Sequence, residues 1–353
     1  MFATLPDMTR PDRPSAFPGS NRFVHLRPTA VFDSYWRFAA ERQAIYFRRL
    51  AGMSAPWTDD PILTRHRFTN AYRAADRVSQ FLIREVIYGD GRSQAGRETL
   101  FRILLFKLFN KIETWQLLER SLGKLTWESF DFKAYDEVLT QAMARGTKVY
   151  SAAYIIPPIK WAGGDGMKHR GHLHLVQTAL DGDLFHILRQ ASSLEQVFAA
   201  LKQLPSFGDF LAFQLAIDLN YSTLINFSED SFVVAGPGAR DGIAKCFENA
   251  GEFATADIIE LMHDRQDREF ERLGLSFQSL WDRPLQLIDC QNLFCEISKY
   301  ARVAHPDVAG VSGRTRIKQV FRPNETPLPV WFPPKWGLND RLPEQQPYVA
   351  RLL

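Results

Sequence analysis

Residues 204–230, LPSFGDFLAFQLAIDLNYSTLINFSED, decide the fold prediction for this chain of 353 residues. The first five residues of this stretch predict a tight turn, because Gly208 can adopt the positive φ that such a bend usually requires. An apolar helix follows from about Asp209 to Leu219, and a later loop carries a carboxylate at Asp230. The turn leaves the first backbone amides of this helix unpaired at the positive end of its dipole. We therefore expect the turn to bind a phosphate.

The same stretch resembles the hairpin of helix-hairpin-helix DNA glycosylases, in which Leu-Pro-Gly-Val-Gly precedes an apolar helix and an aspartate. Two positions depart from that pattern, since Ser206 replaces the first glycine and Phe210 occupies the place of the Schiff-base lysine of lyase-type members. A covalent amine mechanism is therefore not supported. The resemblance implies that Asp230 takes about the place of the catalytic aspartate. The hairpin residues expected to contact DNA are Ser206, Phe207, Gly208, Asp209 and Phe210.

The composition is that of an ordinary soluble globular protein, with 45% apolar and 24% charged residues. No run of about 18 apolar residues could span a bilayer, and the N-terminus lacks the apolar part of a secretory signal. We therefore expect a cytoplasmic protein with no membrane contact. The three cysteines, Cys246, Cys290 and Cys295, are too few for a disulfide framework or for the four ligands of an iron–sulfur cluster.

Positive charge is concentrated in one part of the chain. The whole chain has a net charge of +3, whereas residues 61–125 contain twelve Lys or Arg and six Asp or Glu. A local basic excess of this kind is typical of a nucleic-acid footprint, and it also fits a solvated helix face.

Helical periodicity predominates and predicts a mainly α, helix-hairpin-helix DNA glycosylase-like fold with a mobile N-terminal arm and an extended Pro-rich C-terminal tail. The best strand signal, 231–234, is short. Helices are predicted over 32–50, 68–88, 98–110, 112–121, 132–145, 183–190, 193–203, 239–247, 254–273 and 285–301. The predicted organisation is a flexible arm (1–28), a helical catalytic domain (29–320) and a tail (321–353); the domain divides into an N-terminal helical part (29–155), an irregular loop (156–174) and a helix-hairpin-helix part (175–320).

The helix over 68–88 carries the clearest pattern, with one apolar stripe and one polar stripe. The polar stripe can follow a phosphate backbone, or it can pair with Asp76 and Glu85 as a surface network. Its members are Arg73, Arg77, Gln80 and Arg84.

Two further segments contain candidate binding groups. The glycine-rich loop 156–174 holds His169, His172 and His174, but these lack the i, i+4 spacing of a metal-binding helix, so no metal site is predicted. A loop that shapes a pocket or contacts nucleic acid is the better interpretation. Gly236 and Gly238 open another helix start that can bind an anion. No GK[ST] follows them, so we expect no nucleotide cofactor, and no cofactor of another kind.

The last predicted helix places four polar residues on one face, which either line a polar pocket or form an exposed ladder. The pocket is the preferred interpretation. The four residues are Asp289, Asn292, Glu296 and Lys299.

The wider sequence resembles the alpha-glutamyl/putrescinyl thymine pyrophosphorylase family, which shares a helical domain with 5-hydroxymethyluracil DNA kinases. The resemblance covers roughly residues 30–323 and rests on the ordered blocks PWTDDPIL, RFTNAYRAADRVSQFLIREVIY, KWAGG, LPSFGDFLAFQLAIDLNYS, EDSFVVAGPGARDGI and DCQNLFCEISKY. It implies a connection with hypermodified bases of phage DNA. Some phage members resemble transferases that attach an amino acid or polyamine to an activated 5-methyl-pyrimidine. Some bacterial members are anti-phage DNA glycosylases that excise glucosylated hydroxymethylcytosine.

These observations together favour a monofunctional DNA glycosylase of anti-phage defence that flips a hypermodified pyrimidine out of double-stranded DNA and leaves an abasic site. An ionised Asp230 would stabilise the positive charge on the sugar and orient water, with Asp289 and Glu296 as further catalytic groups. No protein partner is predicted. Besides the hairpin, the residues expected to bind DNA are Arg67, Asn70, Arg73, Arg77, Gly236, Gly238 and Lys299.

Two other functions stay open from the sequence. An amino acid or polyamine transferase acting on an activated 5-methyl-pyrimidine would place the chemistry on Asp289, Glu296 and Lys299. A noncatalytic module that binds modified DNA would need only the hairpin, which contacts the backbone without reading the bases.

Overall fold

A computed structural model describes residues 23, 25–152, 156–161, 164–322 and 329–343. Across these ranges the chain consists of α-helices joined by loops and short 3-10 or π-helical segments, and no residue belongs to a β-strand. The predicted mainly α fold is therefore confirmed, and the short strand signal at 231–234 does not form a strand in this described segment. No helix in the ranges given is long and apolar enough to cross a membrane.

The helices match most of the predicted positions, because periodicity and cap residues mark their ends. Predicted helices correspond to α1, α4–α6 and α8–α13. In the described residues the helices are α1 (Ala30–Leu50), α2 (Pro61–Arg65), α3 (Arg77–Phe81), α4 (Gly96–Phe109), α5 (Ile112–Leu122), α6 (Phe132–Ala144), α7 (Lys168–Asp181), α8 (Leu184–Gln190), α9 (Leu194–Lys202), α10 (Asp209–Asn220), α11 (Pro237–Cys246), α12 (Thr255–Arg272) and α13 (Leu287–Ala304).

Helix α13 lies at the centre of the packing, with α1, α11 and α12 against it. Its side chains Leu293, Phe294 and Ile297 are fully buried. Helix α11 approaches closely because Gly242 has no side chain; a Cβ there would lie 2.0 Å from the carbonyl oxygen of Phe294. Helix α10 packs against α9 and α4 and so joins the hairpin to the core.

The prediction of one helix over 68–88 is wrong for its first residues, and the helical segments that follow them are irregular. Residues 68–72 are not helical, and a 3-10 turn, the short helix α3 and a π-helical segment at Leu82–Ile87 follow. The predicted polar stripe therefore does not form, and two of its members, Arg73 and Gln80, are buried.

Side-chain carboxylates explain this break, because they accept hydrogen bonds from backbone N–H groups that would otherwise bond within a helix. Two of the carboxylates come from α13, so tertiary packing overrides the local helical preference. The bonds join the N–H of Thr69 to Glu296 (3.0 Å), of Asn70 to Asp76 (2.8 Å) and of Arg73 to Asp289 (2.7 Å).

The prediction of an irregular loop over 156–174 is wrong from Lys168 onward, where α7 begins. Its glycine content misled the prediction, because Gly171 lies within α7 for a packing reason. A Cβ at Gly171 would lie 2.3 Å from the carbonyl oxygen of Ile159.

The two ends of the described chain pack on the helical core. Most of the predicted arm lies outside the described residues, but Pro28 pairs with Phe247 in an isolated bridge. In the tail, Phe332 is fully buried and the Trp331 ring lies 5.2 Å from that of Tyr88. The domain boundaries near 28 and 320 stay predictions.

Candidate functional site

The hairpin before α10 is present, but a different residue adopts the positive φ. Ser206 has φ of 65°, whereas Gly208 has φ of −83° and forms the N-cap of α10. Ser206 and Gly208 are exposed, and Phe207 between them is buried and anchors the turn. Asp209 in the first turn pairs with Lys202 at 2.7 Å. No side chain among the described residues caps the start of α10, so the predicted open helix start is retained.

The second glycine pair serves close packing at the start of α11. A Cβ on Gly236 would lie 2.5 Å from the ring of Phe210, and one on Gly238 would lie 3.1 Å from Sγ of Cys295. Phe210, the residue at the lysine position of the hairpin, thus connects α10 to α11. Gly236 itself is buried, so packing already explains why this position is glycine.

A cavity of about 600 Å³ lies between α1, α3 and the loop before α2. Such a volume is typical of sites for small molecules and nucleotides. Its wall is strongly basic, which favours phosphate groups. Seven cations and two carboxylates line it: Arg42, Arg49, Arg67, Arg73, Arg77, Lys107 and Arg322 against Asp76 and Asp218.

Aromatic rings form another part of the same wall. Trp57 and Phe321 meet edge to face with ring centroids 6.3 Å apart, and the Arg49 guanidinium lies 5.1 Å from the Trp57 ring. Phe68 and Phe106 also line the cavity. Rings and arginines side by side are the groups on which nucleic-acid bases stack.

A buried ion network closes one side of the cavity. Asp218 on α10 accepts hydrogen bonds from Arg73 at 2.6 Å and from Lys107 on α4 at 2.7 Å. Burial alone would raise the pKa of Asp218, but the two cations outweigh burial and hold that pKa below its usual value. Burial lowers the pKa of Lys107, against the opposing charge of Asp218. Gln214 and Tyr221 also accept hydrogen bonds from Arg73, which fixes its guanidinium.

Asp76 is the second carboxylate of the cavity wall, and only one of its oxygens is engaged. Oδ1 accepts the backbone N–H of Asn70 at 2.8 Å, while Oδ2 accepts no hydrogen bond from the residues that the structure describes. Burial raises the pKa of Asp76 to about 7, aided by the nearby charge of Glu296 and opposed by Arg42 and Arg73. A half-ionised carboxylate near neutral pH is suited to accepting a proton.

Two other polar side chains of the wall are left without a partner. Nδ2 of Asn110 and Nδ1 of His66 are buried and make no hydrogen bond within the described part of the chain. Asn110 is 5% exposed and adopts the left-handed conformation (φ 48°) that ends α4. Both atoms are therefore available for a hydrogen bond to a ligand or to water.

The residues of the predicted polar face of α13 have different roles, since some stabilise the fold and one lines the cavity. Asn292 lines the cavity, and Glu296 holds the N–H of Thr69 and the amine of Lys299. Asp289 accepts the N–H groups of Arg73 and Gln286, the latter at the start of α13. Burial raises the pKa of Asp289 to about 7.

The four basic or amide residues predicted near 67–77 do meet at the cavity. Arg67 is exposed at its rim, and the amine of Lys299 lies 3.4 Å from the carbonyl oxygen of Arg67. The side chain of Asn70 accepts a hydrogen bond from Arg42 at 3.0 Å, which orients it. Arg73 and Arg77 line the interior.

Asp230 lies away from this cavity, in a cluster with α12. Its carboxylate is 3.2 Å from Nε2 of His263, whose Nδ1 is 3.0 Å from Asp264. Burial alone would lower the pKa of His263, but the two carboxylates outweigh it and raise that pKa to about 9. Asp230 is not among the residues that line the cavity.

The three histidines of the glycine-rich segment are used by the fold. His169 contacts Asp136 at 2.7 Å, and His172 contacts the Tyr150 hydroxyl at 2.9 Å. His174 stacks on Trp161 with ring centroids 5.1 Å apart.

The sequence did not identify several residues that line the cavity. The most important of them is Asp76, which was predicted only as a possible surface partner of the polar stripe. Lys107 and Asp218 carried a usable signal, since each is a charged residue between apolar neighbours near the end of a helix. Such charges are rarely buried unless they are paired. No periodic signal marked Arg42, Arg49, Asn110 or Arg322.

Comparison with known proteins gives a consistent family. The family model described as 5-hmdU DNA kinase, helical domain, matches residues 29–310. The chain is 28% identical over 288 residues to a curated protein named 5-hmdU DNA kinase from Bacillus phage SP10. The aligned part is 76% of this chain and 45% of that relative, so the chain spans less than half of the relative's length. No solved structure matches the chain.

These similarities correct the predicted function. A DNA kinase is a phosphotransferase, so the prediction of a hydrolytic DNA glycosylase that leaves an abasic site is wrong. The two alternatives, an amino acid or polyamine transferase and a noncatalytic module, do not match a kinase either. The predicted relation to a family that shares the kinase helical domain is supported, whereas the specific likeness to pyrophosphorylases and glycosylases is not confirmed.

Proposed function

The chain belongs to the family described as the helical domain of 5-hmdU DNA kinase, and from this we propose that it phosphorylates the hydroxymethyl group of a 5-hydroxymethylated pyrimidine in DNA. The named activity of the phage relative supports the reaction class. The family model covers the residues that line the cavity, apart from Phe321 and Arg322. We also keep the expectation that the protein works in the cytoplasm.

The arginine-rich cavity is the observation that carries this proposal. Its volume of about 600 Å³ suits one nucleotide, and its rings offer a stacking surface for a pyrimidine. The positive charge favours the phosphates of the DNA strand that carries this nucleotide. We assign Arg67, at the exposed rim, and Lys299 beside it to the DNA backbone.

The interior predicted residues receive a different role. Arg73 is tied into the buried ion network, so it shapes the floor rather than reaching out to a strand. Asn70 and Arg77 lie in the wall, where they can contact a nucleotide that has left the helix stack. Extrusion of the target nucleotide is the way in which enzymes reach a base inside a duplex.

The hairpin supplies a second contact to the same DNA. Helix α10 connects the two places, because the turn precedes its first residue and Asp218 near its end lines the cavity. At the helical rise per residue, these points are separated by about 15 Å. The distance fits a phosphate a few nucleotides away from the extruded base. The residues proposed for this backbone contact are Ser206, Phe207, Gly208, Asp209 and Phe210, with Gly236 and Gly238 close behind them.

Label transfer tests the proposed function. Purified chain is incubated with magnesium, γ-labelled ATP and a duplex that contains one 5-hydroxymethyluracil, and label in the DNA is measured. The matched control duplex has thymine at that position, which lacks only the acceptor hydroxyl. We expect label in the hydroxymethyluracil duplex and none in the thymine duplex. Equal labelling of both duplexes, or none of either by folded protein, would overturn the proposal.

A further inference from the structure

We propose that an exposed basic segment, residues 313–322 (GRTRIKQVFR), binds the phosphate backbone of DNA beside the target nucleotide and supplies affinity that does not depend on the bases. The segment contains no acidic residue, and its four cations are all exposed: Arg314, Arg316, Lys318 and Arg322. The inference rests on the proposed function and deepens it, because it assigns a surface of the protein to the DNA that flanks the cavity.

Hydrogen bonds to two helices of the core hold the backbone at and before the basic segment. The N–H of Ser312 donates to the carboxylate of Asp241 on α11 at 2.7 Å. Arg302 on α13 donates to the carbonyl oxygen of Arg316 at 3.1 Å. The Arg316 side chain takes no part in this bond and is exposed. A surface fixed in this way loses little conformational freedom when it binds a partner, which favours affinity.

The far end of the basic segment lies at the cavity. Val320 pairs with His66 in an isolated antiparallel bridge. The next two residues, Phe321 and Arg322, line the cavity, as do His66 and Arg67. We therefore expect a DNA strand that places one nucleotide in the cavity to pass its neighbouring phosphates along the basic segment.

Acidic side chains do not balance the charge of this surface. Arg65 and Arg67, on either side of the bridge residue His66, are also exposed and bring the number of cations to six. Among the residues that the structure describes, none of the six forms an ion pair, whereas Lys299 beside Arg67 pairs with Glu296 at 2.6 Å. The whole chain has a net charge of +3, so all its other residues together carry −3. This surface therefore carries an excess of positive charge, which attracts a polyanion.

The cations of the basic segment are spread along its length, as contacts to successive phosphates require. Arg314, Arg316 and Lys318 occupy alternate positions in a stretch that contains no helical residue, and Ile317 between the last two is less exposed than they are. At the rise of an extended chain, residues 314–322 reach at most about 26 Å, the length of about seven base pairs. Contacts of this kind position DNA without reading its sequence.

Neutralisation of the alternating cations tests the proposal. We expect the Kd for an unmodified duplex, measured by fluorescence anisotropy, to rise at least about tenfold in about 0.1 M salt. The slope of log K against log salt should fall by about 3, since each lost phosphate contact contributes about 0.9. The variant is Arg314→Gln/Arg316→Gln/Lys318→Gln, in which all three side chains are exposed, so the fold is preserved.

The matched control loses the same charge at exposed positions on α5 and just after α6, and it should bind DNA as the wild type does: Arg120→Gln/Arg145→Gln/Lys148→Gln. Because the basic segment reads no base, the ratio of the Kd values for thymine and hydroxymethyluracil duplexes should be the same in the basic-segment variant and in wild type. An unchanged slope in that variant, an equal loss in the control, or a changed ratio would overturn the proposal. Binding to an unmodified duplex needs no phosphate transfer, so absence of label transfer by the wild-type protein would overturn only the kinase proposal.

Discussion

Asp76 and Asp289 have similarly raised pKa values but very different hydrogen bonding. Burial brings each to about 7. Both carboxylate oxygens of Asp289 accept hydrogen bonds from backbone N–H groups, and Asp289 completes the capping box of α13 with Gln286. One oxygen of Asp76 accepts a backbone N–H, and Asp76 is one of the residues that line the cavity. A shifted pKa therefore identifies a reactive group only when an atom of that group is open to a ligand.

The ion network around Asp218 should be a stability element as well as a wall of the cavity. Asp218→Asn leaves Arg73 and Lys107 buried without their carboxylate, and loss of one partner from a buried ion pair typically costs about 3 kcal/mol or more. We expect a decrease of that size in the free energy of unfolding, measured by urea titration with circular dichroism. The matched control Asp183→Asn, at an exposed aspartate at the start of α8, should change it by less than about 0.5 kcal/mol. Similar values for both variants would show that the network contributes little.

His263 makes stability depend on pH in the alkaline range. Its pKa in the folded protein, about 9, lies above the ordinary value of 6.5, so the folded state binds the proton more tightly. The resulting stabilisation is complete below pH 6.5 and is lost as pH rises through 9. We expect roughly 2 kcal/mol more loss of stability between pH 6.5 and 9.5 in wild type than in His263→Gln. Parallel curves for the two proteins would contradict this assignment.

At the scale of elements, residues 68–76 show where local pattern fails. The apolar spacing of this segment is that of a helix, but carboxylates on α13 capture the N–H groups of Thr69 and Arg73. In the non-helical segment that results, both Asn70 and Asp76 line the cavity. Most helices could be predicted because periodicity and caps are local. This break could not, since it depends on residues more than two hundred positions away.

The candidate site was predictable to a similar, partial extent. Arg67, Asn70, Arg73 and Arg77 are near in sequence and all line the cavity, although the continuous helix expected to carry them does not form. Asp230 was assigned by analogy with a hairpin protein, and the packing of α12 places it beside His263 instead. Asn70 and Arg73 are close to Asp76 in sequence, whereas Arg42 and Glu296 come from distant segments, so sequence spacing carried no sign of those two.

The contact between α11 and α13 depends on one glycine. A side chain at Gly242 would lie 2.0 Å from a backbone oxygen of α13, so Gly242→Ala must push the two helices apart. We expect a loss of about 2 kcal/mol in the free energy of unfolding, in the range of other overpacked cores. Gly251→Ala is the matched control, because nothing lies within 4 Å of its Cβ position. Equal stability of the two variants would show that α11 adjusts freely.

At the scale of the whole molecule, the hairpin and the cavity lie at opposite ends of α10, and we propose that they form two contacts for one DNA molecule. Arg67 and Arg322 lie exposed at the cavity and are the cations best placed for the strand between them.

Salt dependence tests this DNA path. Arg67→Ala and Arg322→Ala should each weaken duplex binding and reduce the slope of log K against log salt by about 1, since each removes one phosphate contact. Arg268→Ala on the exposed face of α12 should leave the slope unchanged. An unchanged slope in both cavity variants would exclude this path, and it would leave the family assignment untouched.

The central claim, that the cavity phosphorylates a hydroxymethyl group in DNA, is tested most directly by mass spectrometry of the product. A hydroxymethyluracil duplex treated with the protein, magnesium and ATP is digested with a nuclease that preserves base phosphates, and the released nucleosides are identified. The account predicts 5-phosphomethyl-deoxyuridine in place of the starting nucleoside, with ADP formed in equal amount. Unchanged 5-hydroxymethyl-deoxyuridine, or its free base beside an abasic strand, would contradict it.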